Sequence, residues 1–491
     1  MNAVVSVGIL ALFMVAACVL GVRAGRGRDR KDLAEWSIGG RSLGLVMTLV
    51  LMAGETYTTF SYLGAAGWSY THGVSALYVV AYLTIGMAAS YVVGPLLWNY
   101  AHRHGLHNIT DIVSHRFGAP RLGALLTVAA TVFLLPYIQL QITGMGTVVA
   151  SVSYGAIGLG VAYLVAFVVS EVFILAGGLR GSAWVSVLKD ATVVVTLGVV
   201  FVYVPLRFFG GYGGLFARVA SERTDWLTMP GPNSATYGLA WFISTALLNG
   251  AVYSVLPTTV AGFLGARSAQ TLRRNAVILP VYQVLLFVPV LLGLAATFVV
   301  PGLRDSNLAM FEMIRTTMPA WLLGIVGAAG ALSAIVPMAV FMLVIGTMWG
   351  RSVFSLHHRT ASRPRQLSQV VTLVAGGLAL GMTYLFPNAL VRLSVISYEG
   401  LAQLLPLVVI ALVWRRMSLV GGVAGMTVGI LVVVVLMVTG NDPWNGINAG
   451  ALALAVNLAL TGVVSLARPG DAPPDRLAVS ELAEPEPVAA R

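Results

Sequence analysis

A chain of 491 residues of which 58% are hydrophobic and only 10% charged lies far from the roughly 25% charged content of globular proteins and belongs in a membrane. Its net charge of +11 does not mark a nucleic-acid binder, because the basic residues fall in short loops between apolar segments rather than in patches interleaved with aromatics. The single cysteine, Cys18, excludes a disulfide framework or a cysteine-based metal site within one chain.

Apolar runs of about 20 residues, the length that crosses a bilayer, lie near residues 3–22, 42–64, 74–98, 122–152, 155–177, 183–206, 237–263, 275–300, 320–348, 367–386, 389–414, 418–438 and 446–466. These thirteen runs predict an all-α polytopic membrane protein, with residues 1–466 as one transmembrane domain. The first run has no basic leader and its charges follow it, so a retained helix is expected rather than a cleaved signal. The segment His102–Arg121 is too polar to span and is expected along the cytoplasmic interface. Residues 467–491, with "RPGDAPPDR" and "ELAEPEPVAAR", read as a disordered cytoplasmic tail.

Arginine and lysine alternate strictly between the two sets of loops. One set holds nineteen, among them Arg23, Arg41, Arg103, Arg116, Arg180, Arg267 and Arg351. The other holds only Arg207, Arg218, Arg223, Arg304 and Arg315. By the positive-inside rule the N-terminus is outside and the C-terminus cytoplasmic. Only Lys31 and Lys189 are lysines among 29 basic residues, a usage suggesting a GC-rich bacterial genome and hence a bacterial plasma membrane.

Two runs look breakable: the second, through "MAGETYTTFSYLG", and the seventh, "STALLNGAVYSVLPTTVAGFLG", with Asn249, Gly250 and Pro257. Interrupted helices in corresponding places of two halves point to an inverted-repeat transporter that binds its substrate at the midplane. Glu55 is costly at such depth and either handles coupling or substrate, or is a fixed structural carboxylate. Thr56, Thr58 and Thr59 either bond back to helix carbonyls or, with Tyr57, face a substrate carboxylate at the exposed N–H groups of the break. Tyr137, Gln139 and Gln141 in "LPYIQLQITG" bind substrate or glue helices together, and Asn249 caps a half-helix or binds substrate. Lys189 reaches the midplane or snorkels to the cytoplasmic interface, with Asp190 as its partner. Glu399 is expected near an outer helix end, paired with Arg392 in a structural role.

His357 and His358 sit in a basic loop with no carboxylate close by, so no metal site is expected. No GxxxxGK[ST] stretch offers a phosphate cradle, and no acid, base and nucleophile are grouped as an enzyme requires. No cofactor, nucleic acid or obligate protein partner is implied; the partners expected are a small solute and the lipid bilayer.

The blocks "AEWSIGGRSLG", "YLGAAGWSYTHGVSALYVVAYL", "GGLRGSAWVSVLKD", "GARSAQTLRRN" and "SYEGLAQLLPLVVIALVWRRMSLVGGVAGMTVG" together resemble the sodium:solute symporter family. "MAGETYTTFSYLGAAGW" with "LPYIQLQITGMG" is most similar to its bacterial monocarboxylate permease branch. The resemblance implies a LeuT-type core of two five-helix inverted repeats, about residues 42–206 and 237–414. It also implies import of pyruvate, lactate, acetate, propionate or a similar acid by alternating access. The family's sodium site implies backbone carbonyls near Gly54 and Tyr57 and paired hydroxyls on the ninth run. Here Val336 and Pro337 occupy those hydroxyl positions, and Ser333 lies one turn earlier. On the sixth run the chain reads Trp184, Val185, Ser186 where the family commonly has Trp-Thr-Asp, and Lys189 and Asp190 follow one turn on. A lysine ammonium can fill a cation site with attached charge. The expectation is therefore H+ as coupling ion in preference to Na+, with Glu55 as the exchangeable proton carrier. A sodium-coupled importer of an amino acid, sugar or vitamin, and a non-transporting solute sensor, remain as alternatives.

Overall fold

The structure, a computed structural model, describes residues 1–25, 33–232, 236–354, 364–386 and 390–470. The tail beyond residue 470, Arg26 to Lys31, and the His357–His358 pair lie outside the described residues. In chain order the helices are α1 (Asn2–Ala24), α2 (Leu33–Ile38), α3 (Leu45–Thr56), α4 (Ala65–His72), α5 (Tyr78–Arg103), α6 (Ile109–Phe117) and α7 (Pro120–Val152). The middle of the chain forms α8 (Leu159–Phe209), α9 (Tyr212–Glu222), α10 (Leu239–Tyr253), α11 (Pro257–Gly265), α12 (Ala269–Gln283), α13 (Phe287–Val299) and α14 (Ala309–Thr317). It ends in α15 (Ala320–Met348), α16 (Pro364–Leu385), α17 (Leu390–Ala402), α18 (Leu419–Val438) and α19 (Ala449–Ala467). Extended pairing among the described residues is limited to two isolated bridges, Leu43 with Ala266 and Trp444 with Ile447.

Ten helices among the described residues are long and apolar enough to cross a membrane, eleven with the bent pair α10–α11 counted as one span. The sequence contains thirteen apolar runs, and the difference lies where helices break or join. Phe60–Arg103 joins the far half of the second run to the third, while Leu45–Thr56 and Leu159–Val172 are apolar but short. Within α8 the backbone turns at Gly178, with φ 57° and ψ −154°. Glycine adopts this geometry at no steric cost, and a Cβ there would run into the Trp36 carbonyl.

The centre of the molecule is α15, built from Gly, Ala, Val and Met, whose most apolar stretch is wholly buried. It packs against α1, α7, α8 and α16. Its small residues allow that close approach where apolar lipid supplies no hydrophobic drive between helices. The outer helices turn large apolar side chains outward, for example Val161, Val168 and Val195 on α8, Val132 on α7 and Val374 on α16. Such continuous apolar exposure marks a lipid-facing surface.

The arginine-rich loops gather on one face and fasten it. Arg41 donates to the Ala101 and Leu106 carbonyls (3.1 and 2.7 Å), Arg180 pairs with Glu35 at 3.2 Å, and Arg351 pairs with Asp111 at 2.6 Å. The polar segment His102–Arg121 contains α6, capped by Asn108 accepting from the Asp111 N–H at 2.8 Å. It docks against the body, with buried Arg116 donating to the Ala411 carbonyl at 2.5 Å. On the opposite face Arg223 donates to the Thr297 carbonyl at 3.2 Å and Trp226 to that of Tyr70 at 3.1 Å.

Candidate functional site: the α3–α4 break

Helix α3 stops at Thr56, Tyr57 takes a non-helical ψ of 79°, and helical winding resumes as a π turn over Phe60–Gly64 before α4. A helix that ends leaves carbonyls without donors. Two of these, Gly54 and Tyr57, accept hydrogen bonds from Lys189 Nζ on α8, at 2.7 and 2.8 Å. The third hydrogen of the ammonium faces Asp190 Oδ1 at 3.3 Å, so all three donors of the group are used. The Tyr57 ring centroid lies 5.9 Å from Nζ, and Lys189 has no solvent exposure. Lys189 therefore does not snorkel: the turn at Gly178 and the close packing of α3 on α8 put its head on the break.

Asp190 Oδ1 also accepts from the Tyr282 hydroxyl on α12 at 3.1 Å, while its second oxygen is buried without a partner. Ser186, one turn before Lys189, touches the same place, since a Cβ added at Gly54 would collide with the Ser186 Oγ. That Cβ would also meet Val336 Cγ1 at 3.7 Å, which brings the side chain standing in place of a hydroxyl against the carbonyl pair. The Ser186 and Ser333 hydroxyls are buried and unpartnered, and Pro337 is buried inside α15.

Glu55 is 8% exposed and both its carboxylate oxygens lack a hydrogen-bond partner. It interacts electrostatically with Lys189 and with Tyr253 on α10, but is not ion-paired with the lysine.

The threonines divide. Thr56 bonds back to the Met52 and Ala53 carbonyls (3.1 and 3.0 Å) and accepts from Gln283 Nε2 at 2.5 Å. Thr58 accepts from the Phe60 N–H at 3.2 Å, restarting the helix. Thr59 gives both its N–H (3.3 Å) and its hydroxyl (2.7 Å) to Gln141 Oε1. The backbone donor fixes which end of the amide is oxygen, and Gln141 Nε2 is left buried with no partner. Tyr137 interacts with Thr58, Ser394 and Tyr398, and its ring lies 4.5 Å from Phe341 and 5.8 Å from Tyr398.

Two other expected residues stand apart. Gln139 donates to the Phe386 and Met382 carbonyls, at 2.6 and 3.4 Å, fastening the end of α16. Asn249 is buried on α10 and makes no side-chain hydrogen bond among the described residues. Glu399 is not paired with Arg392: it is fully buried against Gly450, beside Asn448 and Asp442. Asp442 lies in the loop after α18, where burial pushes its carboxyl up, opposed by the Ala449 N–H. Sequence reasoning missed Tyr282 and Gln283, whose signal was a phenol and an amide inside an apolar run, and the tyrosines Tyr82 and Tyr398.

On the face away from the arginine-rich loops a cavity of about 340 Å³ is lined by Trp68, His72, Tyr237, Trp241, Arg392 and Asp442. On the other face the corresponding space, between Asn108, Pro257 and Thr347, is about 10 Å³. A ladder of rings connects the larger cavity to the break: Trp241 to Tyr78 at 5.0 Å, Tyr78 to Tyr82 at 6.2 Å, and Tyr82 to Tyr398 at 5.7 Å.

Two discontinuous helices around a buried polar centre, in a molecule sheathed in apolar side chains, define a multi-pass membrane transporter. The model of the sodium:solute symporter family matches residues 36–429, and the chain belongs to that family. It is 31% identical over 468 residues to an uncharacterized symporter, YhjB, of Bacillus subtilis (strain 168), covering 92% of this chain and 95% of that protein. It is 26% identical over 492 residues to a monocarboxylate transport permease protein of Rhizobium johnstonii, covering 95% and 98%. Among solved structures it is similar to a Na+-coupled sialic acid symporter in a substrate-bound outward-open state, with a TM-score of 0.79 at 16% identity over 96% of this chain and 99% of that one. It is also similar to Mhp1, a nucleobase-cation-symport-1 family transporter, with a TM-score of 0.56 at 15% identity over 88% and 93%. The fold is thus the LeuT type, and the chain is a symporter rather than an enzyme.

Proposed function

We propose that this symporter imports small monocarboxylates such as pyruvate, lactate, acetate or propionate, and that protons rather than sodium drive it. The observation that carries the coupling is the Lys189 ammonium seated on the Gly54 and Tyr57 carbonyls. A hard cation needs several oxygen ligands to replace its water. Here the two carbonyls are already engaged, and Val336 and Pro337 contribute no oxygen. A covalently held charge cannot cross the membrane and so cannot draw energy from an ion gradient. Glu55, buried with both oxygens unpartnered, is the group at the break able to take up and release a proton, the role that isolated intramembrane carboxylates play in transporters.

Gln141 Nε2, unpartnered beside Thr59, supports a carboxylate substrate, since a buried donor without an acceptor costs about 1–3 kcal/mol until a ligand supplies one. Tyr82, Tyr137 and Tyr398 would wall a short apolar tail. The name of the Rhizobium relative favours the same class. The excess of arginine on one face favours an outside N-terminus, a cytoplasmic C-terminus and a plasma-membrane location.

A sodium-coupled reading has one observation on its side: the Ser186 hydroxyl beside Gly54 and the Ser333 hydroxyl on α15 are both buried and unpartnered. Uptake of labelled pyruvate into proteoliposomes, with pH and Na+ gradients imposed separately, separates the two. Accumulation under the pH gradient alone is expected. Accumulation under the Na+ gradient alone overturns the proton proposal.

A further inference from the structure

A second buried acid lies away from the break. Glu171 on α8 is 5% exposed, and both its oxygens are buried without a hydrogen-bond partner. It is twelve residues from the start of α8 and seven before the turn at Gly178, so at 1.5 Å per residue it lies about 18 Å and 10 Å from those points. That is mid-depth in a hydrocarbon layer of about 30 Å. Its neighbours are apolar: a Cβ at Gly376 on α16 would meet Met342 Sδ at 2.6 Å and Glu171 Oε1 and Phe167 at 2.8 Å. Ser170 beside it turns its hydroxyl to the Ala166 carbonyl and to Met338 Sδ, at 2.9 and 3.6 Å.

Among the described residues no opposite charge compensates it. Helix α15 contains no charged residue, and the charged residues of α1, α7 and α16 are Arg23, Arg121 and Arg365, all at helix ends. Arg365 is eleven residues from Gly376, about 16 Å along the axis, and lies over the Trp36 ring. On α8 itself Arg180 is paired with Glu35, and Lys189 and Asp190 are committed to the break. An anion without donor or counter-charge in this position costs several kcal/mol, whereas the neutral acid does not.

The contacts on either side of Glu171 are of another kind. Gln369 Nε2 donates to the Leu175 carbonyl at 2.9 Å, and the Tyr384 hydroxyl donates to the Gly160 carbonyl at 2.6 Å. Helix α16 is thus held to α8 by neutral hydrogen bonds towards each end, while at its centre it packs against a single ionisable group that makes no hydrogen bond. We propose that Glu171 is a proton-binding site separate from the α3–α4 break, which keeps α16 packed on α8 and α15 while it carries its proton and loosens that packing when it releases it.

The test is chemical and needs no transport, so it stands or falls apart from the substrate and from Glu55. A hydrophobic carbodiimide, which reacts with protonated carboxyls in apolar surroundings, is applied to the full chain in liposomes over a pH series, and the labelled peptides are read by mass spectrometry. Label at Glu171 is expected in the wild type and in Glu55→Gln alike, declining as pH rises and absent in Glu171→Gln. Pyruvate counterflow supplies a second readout: its pH profile should shift in Glu171→Gln, the remaining alkaline decline belonging to Glu55. A wild-type Glu171 that takes no label at any pH overturns the proposal, and so does a Glu171→Gln counterflow profile superimposable on the wild type. If pyruvate is not exchanged at all while Glu171 labels as expected, the substrate assignment fails and the proton site stands.

Discussion

At the first break the chain interrupts its helix and fills the gap with side chains from three others; at the second it uses a proline. Around residues 54–59 the freed groups are met by Lys189 from α8, Gln141 from α7 and Gln283 from α12. Between α10 and α11 the Leu256 N–H still reaches the Val252 carbonyl at 2.9 Å. Pro257 then opens the next helix at a position where its missing N–H costs nothing, and the axis bends by 40°. Ser254 adds two neutral contacts, 3.1 Å from the Ser90 hydroxyl and 3.4 Å from the Gly86 carbonyl. The second break is therefore written locally, as a hinge, while the first exists because charged and polar groups from elsewhere hold it open. A backbone held by titratable and ligand-seeking groups can respond to protons and substrate; one held by a proline cannot.

The largest effect expected from breaking this contrast is at Lys189. Lys189→Met leaves the Gly54 and Tyr57 carbonyls and the Asp190 carboxylate without their shared partner, and loss of one member of a buried charged pair costs about 3–5 kcal/mol. Thermal unfolding of the purified protein should show that loss, and uptake should fall to background. Glu55→Gln keeps the shape of the side chain, so the protein should fold and exchange pyruvate across the membrane, but pH-driven accumulation should vanish.

A smaller effect separates the two glutamines of α7. Gln141→Leu removes the free donor and the acceptor for Thr59, and a loss of about 1–3 kcal/mol corresponds to a KM about five- to 150-fold higher. Gln139→Leu should leave KM where it is and lower only thermal stability, because its amide serves the end of α16. Smallest is Ser254→Ala at the second break, where loss of its neutral contacts to Ser90 and Gly86 should cost about 1 kcal/mol of stability and leave the coupling ratio unchanged.

What could be read from the chain alone follows the same division. The apolar runs, the arginine asymmetry and the second break are periodic or local, and they were legible. The first break was visible as a cluster of polar residues, but the partners of that cluster were not, because they come from α7, α8 and α12. Lys189 shows this best: its distance from the helix end allowed snorkelling, and the packing of α3 on α8 beyond the turn at Gly178 is what brings its head to the break. Other assignments fail on helix geometry. Gln139 and Gln141 are two residues apart, which at 3.6 residues per turn puts them on nearly opposite faces, so only one of them could reach the break. Arg392 and Glu399 are seven apart, about 10 Å along the axis, too far for an ion pair without a bend. Glu171 gave a clear signal, a lone acid in "VAFVVSEVFILAGG", but its one polar neighbour in that stretch, Ser170, is spent on a helix carbonyl and nothing else marks it as a site.

The most direct test of the central claim, that Lys189 takes the place of a coupling cation at the break, is pyruvate counterflow in proteoliposomes with every Na+ replaced by choline at fixed pH. Unchanged exchange is predicted, because the carbonyls a sodium ion would need are already bound by the ammonium. A saturable acceleration by Na+ would contradict the claim.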